Sequence, residues 1–495
     1  MSGVRDLRNL LAPWVRVDMA DTAALTGITL DSREAQPGGL FLALAGSRGH
    51  GLDYLEEALA AGVAAIAWEP GAGHDPQGIA CRCRAAGASA VAIETLGQQA
   101  SAIAARYYGE PGAGLHITGV TGTDGKTSVT HYAGQLMTYF GESAAVMGTL
   151  GWDDTTAATL TTADPVTLQA RLADLRDRGT TAVAMEVSSH ALAQHRVDAV
   201  PFDTAVLTYV GRDHLDYHGS VEAYRAAKRR LFLHPGLSRC VLNRDDALGA
   251  ELLASGDREA RALSYGEHPQ ADVHLQRVVT HPDGLEIDVA MPDLQRRIGL
   301  PLFGRFNAMN ALAALCVVLD RYPPDEALSA LASLRAVPGR MEHFGNGSGD
   351  GPLAVVDYAH TPGALEAALT ALRAHLRGRL ICVFGCGGER DAGKRPLMGA
   401  AAARLADAVI VTDDNPRNED PGRIRAAILQ GCSGVECQEI GDRQEAIRVA
   451  ITSAGPGDVV LVAGKGHEAE QIIGGRRYAF SDREVVARLI TGVAA

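Results

Sequence analysis

The stretch that most constrains this chain runs from Leu115 to Thr130, Leu-His-Ile-Thr-Gly-Val-Thr-Gly-Thr-Asp-Gly-Lys-Thr-Ser-Val-Thr. Leu115 to Val120 is short, apolar and β-branched, as a buried strand is. The residues after Thr127 suit a helix, and Gly122 and Gly125 lie between the two. A strand, a glycine turn and a helix in that order make a phosphate cradle. Glycines let backbone N–H groups turn inward around an anion, and the helix N-terminus adds the positive end of its dipole. Lys126 reaches terminal phosphates, and the Thr127 hydroxyl offers a ligand to Mg²⁺. Gly122, Thr123, Asp124, Gly125, Lys126, Thr127 and Ser128 are therefore the expected nucleotide-binding segment. The strict phosphate-loop pattern has a glycine five residues before Gly125, where this chain has Val120. A plain glycine turn ahead of a helix is the alternative.

At 495 residues the length points to about three domains, and a 46% hydrophobic content supplies packed cores for them. The formal charge of −13 argues against a nucleic-acid surface and gives no long-range attraction for an anionic substrate, so phosphate has to be held locally. The opening Met-Ser-Gly-Val-Arg-Asp-Leu-Arg has no apolar signal region, and no run approaches the roughly 18 apolar residues of a membrane span. A cytoplasmic chain without a membrane partner is expected. The cysteines, at 81, 83, 240, 316, 382, 386, 432 and 437, form no C-x-x-C pair, which favours reduced, mostly buried thiols over disulfides or zinc.

Residues 1–92 are expected to form a first α/β unit. Gly27 to Arg33 and Pro37 to Leu44 read as two strands joined by a turn, and Asp53 to Ala61 as a helix feeding a strand from Ala64 to Trp68. Gly71 to Gly78 reads as a loop and Ala100 to Tyr108 as a helix leading to the cradle. Residues 93–338 then repeat strand and helix, with Arg171 to Arg178 helical and Thr181 to Val187 a buried strand ending in Glu186. A carboxylate at a strand's carboxyl end, in the sheet that bears a phosphate loop, is placed to hold the Mg²⁺ of a nucleotide; a buried acid capping the next helix is the alternative.

Phe202 to Val210 reads as a further strand running into Gly211-Arg-Asp-His-Leu-Asp-Tyr-His-Gly219. His214 and His218 have the spacing of a zinc helix, but no general-base Glu follows the first and Gly219 closes the segment, so a second Mg²⁺ ligand is preferred to zinc. Ser220 to Phe232 reads as a helix with Lys228 among Arg225, Arg229 and Arg230, which by sequence alone is a solvated basic face. Asn307 and Asn310 precede an apolar helix from Ala311 to Leu319; they either face an adenine or, for Asn307, cap that helix.

After Arg340 the composition resets, and residues 339–495 alternate strand and helix. Strands at 353–356, 380–384, 408–411 and 459–462 are followed by Asp357-Tyr-Ala-His360, Gly385-Cys-Gly-Gly-Glu-Arg390, Asp413-Asp-Asn-Pro-Arg417 and Gly464-Lys-Gly-His-Glu468. In a parallel sheet, ligands bind beyond the carboxyl ends of the strands, so these loops should converge on one crevice.

These residues carry a family resemblance over essentially the whole chain. Thr29-Leu-Asp-Ser-Arg33, Thr121-Gly-Thr-Asp-Gly-Lys-Thr127, Met185-Glu-Val-Ser-Ser-His190 and Asp213-His-Leu-Asp-Tyr-His-Gly219 are followed in order by Arg305-Phe-Asn-Ala-Met-Asn310, Asp357-Tyr-Ala-His-Thr-Pro362, Asp414-Asn-Pro-Arg417 and Gly464-Lys-Gly-His-Glu468. The chain resembles the Mur ligases, ATP-dependent amino-acid-adding enzymes of peptidoglycan synthesis, and among them the diaminopimelate-adding branch. The fold this implies is α/β in three domains: a small N-terminal UDP-sugar domain, a central P-loop-type ATPase domain and a C-terminal Rossmann-like domain for the amino acid. One departure is visible: Asp124 stands where the family usually has Asn, adding negative charge near the phosphates.

The resemblance implies roles for single residues. Leu30, Ser32, Ser47, Arg48 and Gly49 match contacts to the UDP end of the nucleotide sugar, and Thr161, Thr162, Ser188, Gln194 and Arg196 match those to its muramoyl-peptide part. Lys126, Thr127, Glu186 and His214 match the phosphate and Mg²⁺ shell, with two ions expected, and Lys228 matches a lysine carrying a carbamate. Asn307, Arg340 and Asp357 match adenine, phosphate and ribose contacts. Arg390, Asp414, Asn415, Pro416, Arg417, Gly464 and Glu468 match the incoming amino acid's site. The implied partners are UDP-N-acetylmuramoyl-L-alanyl-D-glutamate and meso-diaminopimelate, and the implied state is a monomer.

A carboxylate does not react with an amine at neutral pH, so the implied chemistry runs through an acyl phosphate made from ATP, with closure of the third domain on the middle one. Other readings are a lysine-adding Mur ligase, a folylpolyglutamate synthase-like ligase, a P-loop switch or kinase, and a non-catalytic nucleotide-binding scaffold.

Overall fold

The computed structural model describes all residues except 1–2, 18–22, 47–48, 72, 153–159, 256–258, 346–350 and 492–495. Ser47 and Arg48, expected at the UDP end, lie outside the described residues. The chain divides into two compact units, Met1–Ser264 and Tyr265–Ala495. That division falls inside the segment expected as one central domain, away from the expected boundaries at 92 and 338.

The first unit opens with a four-stranded sheet of Ile28–Thr29, Leu40–Ala43, Ala65–Trp68 and Ser89–Ala92, all parallel. The first two strands pair parallel across the short helix Ser32–Glu34 and so do not form a simple turn. Leu40–Ala43 is buried throughout, as a strand covered on both faces must be. The loop expected from Gly71 to Gly78 ends early, because Asp75 caps a helix Pro76–Ala85 whose first residue is a proline.

A second sheet in this unit runs in the order Arg239–Asn243, Thr204–Leu207, His116–Thr121, Ala182–Glu186, Ala144–Gly148, with Gly151–Trp152 folding back antiparallel at the end. The cradle strand His116–Thr121 is central, paired with Thr204–Leu207 on one side and Ala182–Glu186 on the other. Its parallel neighbours bring the loops after Thr121, Glu186 and Leu207 to one edge. Ile117, Val183, Phe202, Ala205 and Leu231 pack in the apolar layer beneath.

The second unit starts with an antiparallel meander, Val273–His281, Gly284–Met291 and Leu294–Leu300, in whose middle strand Leu285, Ile287 and Val289 are buried and alternate with half-buried residues. A helix Arg305–Val318 follows, beginning six residues before the expected Ala311, so Asn307 and Asn310 lie inside it. Gly304 is its N-cap, and capping by Asn307 is ruled out. The C-terminal sheet has the order Glu342–Phe344, Leu353–Asp357, Val459–Ala463, Leu380–Phe384, Ala408–Val411, Glu436–Glu439, parallel except for its first strand. Four of these strands match those expected to within a residue; the two edge strands, Glu342–Phe344 and Glu436–Glu439, were not among them. Helices cover both faces around Val355, Cys382 and Leu461 on one side and Val356, Val383 and Val462 on the other.

Candidate active site

Gly122 has φ 157°, and a Cβ there would stand 1.8 Å from Thr208 Oγ1 and 3.0 Å from the Tyr209 carbonyl. Only glycine fits, so the loop lies flat against the end of the neighbouring strand. Gly125, at φ 84°, is the N-cap of the helix Lys126–Tyr139. Thr208 Oγ1 donates to the Asp124 carbonyl at 2.6 Å, and the Thr123 hydroxyl contacts Tyr224 Oη at 2.8 Å and accepts from Gly211 N at 2.9 Å. The cradle is thereby fixed from outside, leaving its concave side to an anion. Lys126 Nζ folds back over it, donating to the carbonyls of Gly122 at 2.9 Å and Thr123 at 2.8 Å.

Glu186 ends the adjacent strand and is 2% exposed. Its Oε2 accepts from Thr127 Oγ1 at 3.0 Å and its Oε1 from Thr149 N at 2.8 Å. Gly148 makes room for this carboxylate, because a Cβ there would come within 2.3 Å of Oε1. The pair Thr127 and Glu186 is a set of hard oxygen donors that suits a divalent cation such as Mg²⁺. Around it the residues expected to hold a peptide form one network. Thr162 donates to the Glu186 carbonyl at 2.9 Å and accepts from Ser188 N at 3.0 Å, while Thr149 donates to Thr161 at 3.2 Å. Arg196 donates to the Thr162 carbonyl and to Gln194 Oε1, both at 2.9 Å.

Lys228 is the largest correction to the sequence reading. It does not sit on a solvated basic face: it is 1% exposed, its Nζ donates to the Gly122 carbonyl at 2.6 Å, and it lies 4.6 Å over the Tyr224 ring. Burial, reinforced by the nearby Lys126 charge, pushes its pKa well below the ordinary lysine value. His214 sits apart from the Thr127–Glu186 pair in the bonds it makes. It is in the left-handed region at φ 51°, its ring packs edge-on to His190 at 4.7 Å, and its Nε2 is 3.4 Å from Asp213. Tyr217 and His218 complete this aromatic group against His190.

In the second unit, Asn307 is buried and uses its amide internally, donating to the Phe303 carbonyl at 2.8 Å and accepting from Asn310 at 3.0 Å. Asp357 Oδ2 accepts from Met341 N at 2.8 Å, and burial raises its pKa above the usual carboxylate value. Arg340 stacks on Tyr358 at 4.6 Å, and its buried Nε lacks a hydrogen-bond partner among the described residues. Tyr358 in turn packs on His467 at 5.2 Å.

The loops after the C-terminal strands do converge. Arg417 Nη1 donates to the Gly388 carbonyl at 2.7 Å, and its backbone is pinned by Ile472. The obvious surface partners are taken by others: Asp413 pairs with Arg425, and Glu419 forms a two-pronged pair with Arg395. Asp414 and Asn415 are buried, Arg390 is exposed, and Pro416 lines the turn by accepting from Glu419 N at 3.0 Å. Gly464 has φ 117°, and a Cβ there would reach 2.9 Å from Asp414 Oδ2. Two residues absent from the expected set organise this region. Lys465 is wholly buried among these loops, and Arg443 is paired to buried Asp482 and donates to the Ala463 carbonyl at 2.9 Å. The sequence signal for Lys465 was its place between two glycines in Gly464-Lys-Gly466; Arg443 had none.

A central strand, a glycine cradle capped by lysine and threonine, and a carboxylate at the end of the next strand define a nucleotide-phosphate-binding α/β protein. The family description Mur ligase middle domain matches residues 120–318, the Mur ligase glutamate ligase domain residues 339–466, and the Mur ligase catalytic domain residues 24–108. The chain is 50% identical to UDP-N-acetylmuramoyl-L-alanyl-D-glutamate–2,6-diaminopimelate ligase of Alkalilimnicola ehrlichii over 98% of both chains, and 47% identical to that of Pseudomonas aeruginosa over 94% of both. A solved structure bearing the same enzyme name superposes with a TM-score of 0.72 at 34% identity, covering 99% of both chains. This chain belongs to the Mur ligase family, with its three α/β domains. A folylpolyglutamate synthase of Mycobacterium tuberculosis shares the fold, at 19% identity, a TM-score of 0.59 and coverage of 74% of this chain and 91% of the other.

Proposed function

We propose that this chain adds meso-2,6-diaminopimelate to the D-glutamyl residue of UDP-N-acetylmuramoyl-L-alanyl-D-glutamate, driven by cleavage of ATP to ADP and phosphate. Near-full-length identity to relatives of that name supports the reading. Within the site, one observation carries the choice of amino acid: Arg417 is held by a backbone carbonyl while the neighbouring acids are paired to other arginines. A guanidinium kept off acidic partners suits the extra carboxylate that distinguishes diaminopimelate from lysine.

The γ-phosphoryl group passes to the D-glutamyl γ-carboxylate, giving an acyl phosphate and ADP; the amine then attacks the acyl carbon, expels phosphate and loses a proton. The cradle N–H groups from Gly122 to Lys126 hold the phosphates, and Lys126 exchanges its bonds to the Gly122 and Thr123 carbonyls for bonds to phosphate oxygens. Thr127, Glu186, His214 and Lys228 are the proposed shell for two Mg²⁺ ions, which when bound neutralise phosphate charge. Lys228 acts there as a carbamate: its neutral amine adds to carbon dioxide, an N–C bond forms and the proton leaves to solvent. The depressed pKa supports this, because only the uncharged amine reacts.

Asn307, Arg340 and Asp357 are assigned to adenine, phosphate and ribose. Leu30, Ser32, Ser47, Arg48 and Gly49 are assigned to UDP, with Ser32 held in place through its 2.7 Å bond to Glu57. Residues 1–92, 93–338 and 339–495 are the corresponding UDP-sugar, ATP and amino-acid domains. A monomer working in the cytoplasm is proposed; among the described residues no helix is long and apolar enough to cross a membrane.

ADP release measured with ATP, Mg²⁺ and the UDP-muramoyl dipeptide tests the reading. Release that depends on meso-diaminopimelate is expected. Equal release with L-lysine points to a lysine-adding enzyme, and release with folate plus glutamate to a folylpolyglutamate synthase.

A further inference from the structure

Lys465 is 0% exposed, yet it lies within a ring of groups that line the amino-acid loops. Its three N–H bonds are all used: to Asn415 Oδ1 at 3.2 Å, to Glu468 Oε2 at 3.0 Å and to the Glu470 carbonyl at 2.6 Å. An ammonium has three donors and no acceptor, so it has nothing left to offer a ligand. Asp414 Oδ1 stands 3.9 Å from the same nitrogen.

The ring fixes its other members as well. Asn415 Oδ1 accepts from both Lys465 and Ile472 N, the latter at 3.0 Å, and its Nδ2 donates to Glu468 Oε2 at 2.8 Å. The amide oxygen and one of the two Nδ2 hydrogens are spent in the ring, which leaves Asn415 a single hydrogen to offer a substrate. Glu468 receives both bonds on Oε2, which leaves Oε1 to accept from a substrate ammonium. Asp414 is held by its backbone, whose carbonyl accepts from Gln471 Nε2 at 2.8 Å.

We infer that Lys465 is the positioning residue of the amino-acid site: by its bonds and its charge it holds Glu468 and Asp414 in place as acceptors for the ammonium groups of the incoming diamino acid. The buried ammonium lies 3.0 Å from Glu468 Oε2 and 3.9 Å from Asp414 Oδ1, so a single fixed charge attracts and orients both carboxylates. The inference rests on the function proposed above, and it assigns Lys465 to support and Glu468 and Asp414 to contact.

Steady-state kinetics of Lys465→Met and Lys465→Gln test it, with each of the three substrates varied in turn and thermal unfolding recorded. The expected result is a KM for diaminopimelate raised by about thirtyfold or more, since truncating one partner of a buried charge pair has effects of this size. KM for ATP and for the UDP-dipeptide should stay within about threefold, at the scatter of uncoupled sites. If Lys465→Met does not fold, Lys465→Gln decides, because it keeps a polar donor while removing the charge. Loss of kcat with an unchanged KM for diaminopimelate, or a parallel rise of all three KM values, overturns the inference. Absence of diaminopimelate-dependent ADP release in the parent enzyme is a distinct outcome that overturns the proposed function itself.

Discussion

Thr127 Oγ1 and Glu186 Oε2 are 3.0 Å apart, joining the first turn of the cradle helix to the end of the neighbouring strand. The bond ties two segments far apart in sequence into one oxygen cluster beside the phosphate loop. Replacing Glu186 by Gln keeps the shape and removes the charge. The Mg²⁺ concentration for half-maximal activity should rise at least about tenfold and kcat should fall by about a hundredfold or more, the scale of a lost electrostatic stabiliser. Mg²⁺ titrations of parent and variant check this, and superimposable curves would place the metal elsewhere.

Asp124 offers a gain rather than a loss. Its backbone carbonyl is fixed by Thr208, so the side chain can be exchanged without moving the loop. An extra negative charge beside the phosphates opposes nucleotide binding by on the order of 1 kcal/mol. Asp124→Asn should lower KM for ATP by up to about tenfold, with more effect at low salt than at high.

The cradle was legible because every residue it needs is contiguous, so a strand, two glycines, Lys126 and Thr127 state their purpose locally. Four of the parallel C-terminal strands were legible for a similar reason, as short apolar runs each followed by a polar loop, whereas the edge strand Glu436–Glu439, Glu-Cys-Gln-Glu, has no such run. Lys228 was not, since its burial depends on the Gly122 carbonyl, 106 positions away. The antiparallel meander from Val273 to Leu300 was missed because Gln276, Arg277, Arg296 and Arg297 give it a solvated face that weakens the apolar signal. Asn307 was misplaced by reading its helix from Ala311, when Gly304 caps it and Arg305 begins it.

Lys228 also separates two chemical roles. If it acts as a carbamate, Lys228→Ala loses nearly all activity, and millimolar acetate or another short carboxylate restores part of it by supplying the missing oxygens. Lys228→Arg should resist rescue, because the guanidinium stays charged and fills the space. Near-normal activity in Lys228→Ala would return the residue to a packing role.

His467 sets an acid limit on the stability of the second unit. Burial, helped by the charges of Arg340 and Arg483, holds its pKa down to about 4 against an ordinary 6.5. Between these values the unfolded chain binds a proton that the native chain refuses, so stability falls as pH drops through that window and levels off below it. The loss is about 3 kcal/mol for a shift of this size. Denaturant unfolding at intervals from pH 7 to pH 4 should show a shallower decline for His467→Asn than for the parent; parallel curves would assign the acid sensitivity to other groups.

On the function proposed above, the choice between diaminopimelate and lysine falls to Arg417. Its backbone is in the left-handed region at φ 53° and is pinned on both sides, N–H to the Ile472 carbonyl at 2.9 Å and carbonyl to Gly474 N at 2.6 Å. Its guanidinium therefore leaves a fixed base, and the bond to the Gly388 carbonyl uses one nitrogen only. A planar fork in that state suits a carboxylate by two parallel bonds, which an ammonium at the same place cannot reproduce. A substrate lacking the far carboxylate leaves the fork unpaired, and sites built around a polar group reject analogues without it strongly. In competition for the same enzyme, the parent should prefer meso-diaminopimelate over lysine by at least about a thousandfold in kcat/KM. Arg417→Ala should reduce that preference by about a hundredfold or more, chiefly through the diaminopimelate KM, and Arg417→Lys should recover only part, having charge without the fork. A variant as selective as its parent would show that discrimination is made by another group, with Arg390 the next guanidinium to replace.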